Sequence, residues 1–325
     1  MAPAVTVASG QGFTNPVPAR NSAFHDFLTS RRATLDLRDA VPEGVSSPDQ
    51  SQISEEYLLL AVGYWWKIVG IRWSAVGDVV GALHVLAVLG VYSTLRLFLP
   101  LLLSGAGALW MCTSTLQLSV APHIRDYSKG AFILAAIPFV VALAVRARSR
   151  AAMLALAATV GVVIGLGIGF KMDVAVMAPI AIACIVLFRS RRPWTGLLEK
   201  GLAIAVLTFT VMLTAYPVTS RLVSGGSNAF HVALLGYADP FDDNLGITRS
   251  VYRYFPYYDD GYIASVVNAR AEVSTGHAAP YTSPAYDRAS TELWTGLLRH
   301  FPADAFVRLL GAANGVSFTQ QFRGG

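Results

Sequence analysis

Long apolar runs separated by short polar segments dominate the chain between residues 79 and 218. A helix of roughly 20 residues, with a lower limit near 17, crosses a hydrocarbon layer about 30 Å thick. Polar and apolar positions do not alternate strictly within the runs, which favours helices over the strands of a barrel. The pattern predicts six transmembrane helices, the third and fifth of them short: 79–99, 101–121, 130–145, 151–169, 174–188 and 202–218.

The composition agrees with a membrane protein, because 54% of the 325 residues are hydrophobic and only 14% are charged. The net charge of +5 comes with basic residues at the ends of apolar runs, which indicates topology rather than nucleic-acid binding. Two loops are rich in arginine: Arg146, Arg148 and Arg150, and Arg189, Arg191 and Arg192. The positive-inside rule places both loops in the cytoplasm. Segments 122–129 and 170–173, the residues before about 78 and those after 218 then lie on the other face.

The regions outside the apolar runs differ in composition. Residues 1–52 form a polar external segment, residues 53–218 the helical membrane domain, and residues 219–325 an external segment rich in Tyr and Asp. Residues 53–71 predict a helix on the outer interface, because aromatic and lysine side chains favour that position. The side chains concerned are Tyr64, Trp65, Trp66 and Lys67.

The topology requires residues 1–52 outside, yet they contain no apolar segment that would carry them across the membrane. We therefore expect a preceding helix to be missing from a truncated chain. The predicted fold class is an all-α polytopic membrane protein with about six transmembrane helices, an outer interfacial helix and a polar external C-terminal segment.

Charged residues concentrate in the stretch SVAPHIRDYSKGAF, residues 119–132. Asp126 could hold a reacting hydroxyl or a metal ion, while Arg125 and Lys129 could pair with a phosphate. The alternative is a solvated external loop whose charges anchor at lipid headgroups. In the motif FKMD, Lys171 and Asp173 either pair with each other or leave Lys171 to bind a lipid phosphate.

Other polar and small residues have simpler explanations. Glu55 and Glu56 fall in the first turn of a helix, where the helix dipole stabilises acidic side chains. Glycines at four-residue spacing inside the fourth apolar run predict close helix packing, and the residues are Gly161, Gly165 and Gly169. The chain has no nucleotide-binding fingerprint.

Two acidic pairs lie in the Tyr-rich C-terminal segment, Asp242–Asp243 and Asp259–Asp260. Aromatic faces suit sugar rings, and vicinal carboxylates suit sugar hydroxyls or a divalent cation, which makes Asp259, Asp260 and Tyr262 candidates for binding a sugar or an acceptor. Asp-rich loops are equally ordinary turn formers. The need for a metal stays open.

The stretch EEYLLLAVGYWWKIVGIRWSAVGDVVGALHVLAVLGVYSTLRLF resembles polytopic glycosyltransferases of the GT-C superfamily, such as protein mannosyltransferases and lipid A aminoarabinose transferases. The resemblance covers roughly residues 53–218. It implies transfer of a sugar, with inversion, from a polyprenyl-phosphate donor to an acceptor at the outer membrane face.

The resemblance also implies roles for individual residues. The family's general base lies in the first external loop, where Asp36, Asp39 and Asp49 are candidates, and further acidic residues lie in the second, which corresponds to Asp126. Arg125, Lys129 and Lys171 would face the donor phosphate.

The predicted function is therefore a membrane glycosyltransferase that uses a lipid-linked sugar. The partners are the donor and the lipid bilayer, without nucleic acid, and the expected location is a bacterial inner membrane. A transporter or flippase and a noncatalytic membrane scaffold are the alternatives. A transporter normally carries ionisable groups near the bilayer midplane, whereas His84 is the main titratable residue well inside an apolar run of this chain, which counts against transport.

Overall fold

The computed structural model describes residues 1–146, 149–188, 196–223, 229–281 and 283–317. The chain is mostly helical, with 73% of its residues in helices and few strands, which confirms the predicted helical class. It divides into two units, Met1–Arg221 and Leu222–Gly325.

The first unit contains most of the apolar helices. Its helices are α1 (Ala2–Ala8), α2 (Ala23–Leu28), α3 (Gln50–Ile53), α4 (Glu56–Val69), α5 (Val76–Arg96), α6 (Leu101–Cys112), α7 (Thr115–Val120), α8 (Ile124–Val145), α9 (Arg150–Phe170), α10 (Met177–Phe188) and α11 (Leu197–Val223). Short 3-10 helices, Trp73–Ala75 and Met172–Val176, precede α5 and α10.

Short strands join parts of the N-terminal region. They are β1 (Asn15–Val17), β2 (Thr34–Leu35), β3 (Gly44–Ser46) and β4 (Ile71–Arg72). Strands β1 and β3 pair antiparallel with Asn15 opposite Ser46, and β2 pairs antiparallel with β4, with Thr34 opposite Arg72.

Helical segments long and apolar enough to cross a membrane support the predicted membrane class. In the described ranges there are four of them: Trp73–Arg96, Ile124–Val145, Arg150–Phe170 and Leu197–Leu222. Leu101–Cys112 and Met172–Phe188 are apolar but shorter. Of the arginines that predicted the topology, Arg148, Arg189, Arg191 and Arg192 lie outside the described residues.

The second predicted apolar run and the predicted segment 122–129 have different elements in the structure. The run 101–121 is interrupted after Cys112, and its last part forms α7. Segment 122–129, predicted as a loop, is largely the beginning of α8, with Asp126 in the first turn. The apolar criterion missed this turn because its exposed face is charged, whereas Ile124, Tyr127 and Ser128 point inward and are buried.

The N-terminal region is less polar in structure than its composition predicted. Helix α1 is buried almost throughout and packs against α4, where an added Cβ at Gly63 would lie 2.7 Å from the Cβ atom of Val7. The core of this part centres on Trp66 and Phe27, whose ring centroids are 5.6 Å apart. A seven-residue apolar helix is too short to give a transmembrane signal, so the sequence pattern missed it.

A second core of the first unit lies between α8, α9, α10 and α11 and includes Leu143, Met153, Ile164, Ile185 and Leu207. Gly161 and Gly165 of α9 face α11 closely, since added Cβ atoms would lie 2.6 Å from the carbonyl oxygen of Leu207 and 2.8 Å from that of Val211. The predicted close helix packing along this face is confirmed.

The second unit is a smaller helical body. It contains α12 (Ala229–Leu235), α13 (Asp239–Leu245), α14 (Asp260–Thr275), α15 (Pro284–His300) and α16 (Pro302–Ser317). Helices α12, α14 and α15 contribute to one core around Leu234, Ile263, Val267 and Tyr286.

Candidate functional site

A charged cluster in the first unit joins the start of α4, the start of α8 and the segment that follows α9. Glu55 is the N-cap residue of α4, and Lys171 is the C-cap residue of α9. The charged cluster consists of Glu55, Arg125, Asp126, Lys129, Lys171 and Asp173. Its ion pairs form two groups, Glu55 with its two cations and Lys129 with its two acids, and the chain neighbours Arg125 and Asp126 connect them.

Glu55 is the buried member of this cluster, with only 8% of its side chain exposed. Its Oε1 atom accepts hydrogen bonds from Nε of Arg125 at 2.5 Å and from Nζ of Lys171 at 3.3 Å. One carboxylate oxygen therefore holds two cations that come from different helices. A buried carboxylate needs such compensation, because removing a charge from water is costly unless it is paired.

Lys129 links the two exposed acids of the cluster. Its Nζ lies 3.4 Å from Oδ1 of Asp126 and 3.3 Å from Oδ2 of Asp173. The side chains of Asp126 and Asp173 are 55% and 57% exposed, so both ion pairs are open to solvent. Pairing of Lys171 with Asp173 was one of two alternatives drawn from the sequence, but in the structure Lys171 pairs with Glu55 and Asp173 pairs with Lys129.

Glu56 is a second buried carboxylate beside the charged cluster, and it pairs with the half-exposed Arg221. Its Oε1 accepts from Nη1 of Arg221 at 2.7 Å, while Oε2 is buried without a hydrogen-bond partner in the described part of the chain. Burial raises the pKa of this carboxyl, and the opposite charge of Arg221 counteracts that rise. From the sequence, Glu55 and Glu56 were assigned only to the helix dipole. The signal that could have found them is the consecutive acid pair directly before an apolar helix.

Asp36 and Asp39, the predicted bases of the first external loop, share another partner. Arg32 lies 4.0 Å from Asp36 and 3.4 Å from Asp39, measured between guanidinium nitrogen and carboxylate oxygen. Among the described residues, no hydrogen bond or ion pair joins either aspartate to the charged cluster. The structure therefore does not bring them into contact with Asp126.

The residues predicted to bind a sugar in the second unit have structural partners. Asp259 caps α14 by accepting a hydrogen bond from the backbone N–H of Tyr262 at 2.7 Å. Asp260 lies 3.1 Å from Nε2 of the fully buried His231, whose Nδ1 lies 2.6 Å from the hydroxyl of Tyr286. Burial raises the pKa of the Tyr286 hydroxyl. These contacts join α12, α14 and α15, and they account for Asp259 as a helix cap and for Asp260 as a partner of His231.

The other acidic pair divides between the interior and the surface of the second unit. Asp242 is fully buried and accepts from Nη1 of Arg308 at 2.5 Å. Asp243 is exposed and accepts from Nη2 of Arg249 at 2.6 Å, and this hydrogen bond lowers the pKa of Asp243. The two neighbours therefore belong to different environments, although the sequence pattern treated them as one pair.

The described residues contain no group of three or more His, Cys, Asp or Glu side chains that could hold a metal ion. Asp126 and Asp173 both lie beside Lys129, and an ammonium group disfavours a cation at the same place. These residues do not fit a divalent cation, which the sequence analysis left open.

Comparisons with known proteins add no assignment. No protein-family model, no curated protein and no solved structure was found to match the chain.

Proposed function

We propose that this chain is a membrane glycosyltransferase of the GT-C type, which transfers a sugar from a polyprenyl-phosphate donor to an acceptor hydroxyl at the non-cytoplasmic face. The observation that carries the proposal is the charged cluster, where Arg125, Lys129, Lys171 and Asp126 meet at the ends of apolar helices. In the proposed topology these helix ends lie at the membrane interface, where a lipid phosphate group also lies.

The proposed topology has six spans in a bacterial inner membrane, with α4 as the outer interfacial helix. It counts the two shorter apolar helical segments, Leu101–Cys112 and Met172–Phe188, as spans. At about 1.5 Å per residue these reach roughly 18 and 26 Å, so the proposal requires local thinning of the bilayer around them. The ion pairs support this topology, because the start of α8 and the end of α9 fall on one side.

The donor phosphate would bind by exchanging ion pairs. The three cations and three carboxylates of the charged cluster have no net charge, so a phosphate must replace existing acid partners. The exposed partners of Lys129 are the replaceable ones, since solvent-exposed ion pairs contribute only about 0–1 kcal/mol. When Lys129 turns to the phosphate, the Asp126 carboxylate is released.

Asp126 would then act as the general base. Its carboxylate takes the proton of the acceptor hydroxyl while the hydroxyl oxygen bonds to the anomeric carbon of the donor sugar. The bond between that carbon and the phosphate oxygen breaks with inversion, and polyprenyl phosphate leaves. Arg125, Lys129 and Lys171 stabilise the negative charge of the departing phosphate.

The test is transfer of radiolabelled sugar from polyprenyl-phosphate donors in membranes that contain the wild type or a variant at equal expression. Asp126→Asn should abolish transfer, whereas Asp173→Asn is a matched control because Asp173 also pairs with Lys129 and is equally exposed. Asp36→Asn and Asp39→Asn should retain transfer.

Three outcomes would contradict the proposal in different ways. Equal losses in the two cluster variants would assign Asp126 to the ion network rather than to catalysis. Loss restricted to Asp36→Asn or Asp39→Asn would move the base to the first external loop. No transfer by the wild type from any donor would favour the transporter or scaffold alternatives.

A further inference from the structure

Glu55 occupies a position that the proposed reaction does not use directly. It is the least exposed residue of the charged cluster, and it contacts the cations from their protein side. We propose that Glu55 is a positioning residue, which orients the side chains of Arg125 and Lys171 for binding a phosphate. This inference rests on the proposed function and deepens it.

The atom of Arg125 that contacts Glu55 supports this role. Glu55 accepts a hydrogen bond from Nε of Arg125, and the two Nη groups have no hydrogen bond to any other described residue. The Arg125 side chain is 56% exposed although its Nε is held by a buried group. A guanidinium held in this way can offer the N–H groups of its Nη atoms to phosphate oxygens, in the bidentate manner that suits arginine.

Lys171 is held by the same oxygen and is only 20% exposed. Its Nζ has three N–H donors, and Glu55 accepts one of them, which leaves two for a ligand. Long cationic side chains lose considerable conformational entropy when they are ordered. A side chain that is already fixed by a buried carboxylate incurs less of this loss when the phosphate binds.

Electrostatic attraction alone predicts that removing the Glu55 carboxylate strengthens phosphate binding. Neutralising one carboxylate raises the net charge of the cluster by one, which should attract a phosphate more strongly. If Glu55 positions the cations, its loss should weaken binding in spite of the added positive charge. The sign of the change in affinity therefore separates positioning from simple electrostatics.

The experiment measures the Kd of polyprenyl phosphate for the purified full chain in detergent, for wild type, Glu55→Gln and Glu43→Gln. Glu43 is an exposed residue of the same unit, so its variant is the matched control for the loss of one charge. We expect Glu55→Gln to raise Kd about tenfold, which corresponds to roughly 1.4 kcal/mol, and Glu43→Gln to leave Kd unchanged. An unchanged or lower Kd for Glu55→Gln would overturn the proposal.

Inorganic phosphate is titrated in the same way, because the side chains of Arg125 and Lys171 should recognise the phosphate group that both ligands contain. Glu55→Gln should weaken its binding as well. A loss limited to the lipid ligand would assign Glu55 to recognition of the chain and contradict the positioning role.

A double-mutant cycle separates positioning from damage to the fold. In a chain that already carries Arg125→Gln and Lys171→Gln, replacing Glu55 by Gln should no longer change the Kd. A further loss of similar size in that background would show that Glu55 acts through general stability and would overturn the inference.

Transfer kinetics distinguish this inference from the proposed function. With Glu55→Gln the donor KM should rise while the acceptor KM stays constant, whereas partial unfolding would lower kcat alone. A wild type whose binding of polyprenyl phosphate depends on Glu55 but which transfers no sugar would refute the proposed function and leave the positioning role intact. Active transfer with an unchanged donor KM in the variant would refute only the positioning role.

Discussion

The contact between α9 and α11 gives the sharpest prediction for stability. Replacing Gly161 by Ala places a Cβ atom 1.9 Å from the hydroxyl oxygen of Thr210 and 2.6 Å from the carbonyl oxygen of Leu207. The threonine hydroxyl bonds to the carbonyls of Val206 and Leu207 at 2.9 and 3.0 Å, so it does not turn away without losing hydrogen bonds. The backbone carbonyl of Leu207 moves only if the helices separate.

The magnitude follows from two opposing effects. Forcing an extra methyl group into a filled contact costs about 1–3 kcal/mol. Ala favours a helix over Gly by up to about 1 kcal/mol. With a full gain of about 1 kcal/mol, Gly161→Ala should destabilise the chain by about 0–2 kcal/mol, and by about 1–3 kcal/mol relative to a glycine-to-alanine change that makes no such contact. Gly81 of α5 is the matched control, because an added Cβ there meets no atom within 4 Å, and Gly81→Ala should be neutral or slightly stabilising.

Thermal unfolding of the purified chain in detergent measures the difference, with a thiol-reactive fluorophore that reports exposure of Cys112 and Cys184. A domain of 150–250 residues shifts by about 2–4 °C per kcal/mol. The apparent Tm of Gly161→Ala should thus lie several degrees below that of Gly81→Ala. Equal Tm values for the two variants would refute close packing of α9 on α11 as the reason for this glycine.

Two predictions concern the second unit. Asp242→Asn should lower the free energy of unfolding of this unit, measured by chemical denaturation, by about 3–5 kcal/mol, because Arg308 would be left as a buried charge without its main partner. The control is Arg270→Gln, which breaks an exposed pair with Glu292 and should cost no more than about 1 kcal/mol. Equal losses in the two variants would contradict this reasoning. Burial raises the pKa of Tyr254 to about 12, above its ordinary value of 10.0, so its contribution to stability is complete below pH 10 and is lost as the pH rises toward 12. Between pH 10 and pH 12 the free energy of unfolding should decline less steeply for Tyr254→Phe than for the wild type. Equal slopes for the two proteins would assign the loss of stability at alkaline pH to other groups.

Residue patterns along the chain were sufficient for features that depend on local spacing. Apolar runs predicted the helical membrane class, since a helix in lipid satisfies its own backbone hydrogen bonds and needs only apolar side chains of adequate length. Glycines four residues apart predicted a close contact, because such positions share one helix face. The three residues predicted to bind phosphate, Arg125, Lys129 and Lys171, also all belong to the charged cluster.

Local patterns do not reach residues whose environment comes from distant segments. The acidic pair at 242–243 consists of one buried and one exposed residue because Arg308, 66 positions away, lies on one side of it.

The sequence by itself determined the helical membrane class and the helix faces on which apolar and small residues lie, because helix periodicity and hydrophobicity are properties of neighbouring residues. Only the tertiary structure decided which charges meet. Glu55 acquired its role from Arg125 and Lys171, which lie 70 and 116 positions away along the chain. Long-range ion pairs depend on how helices pack, and no local pattern contains that information.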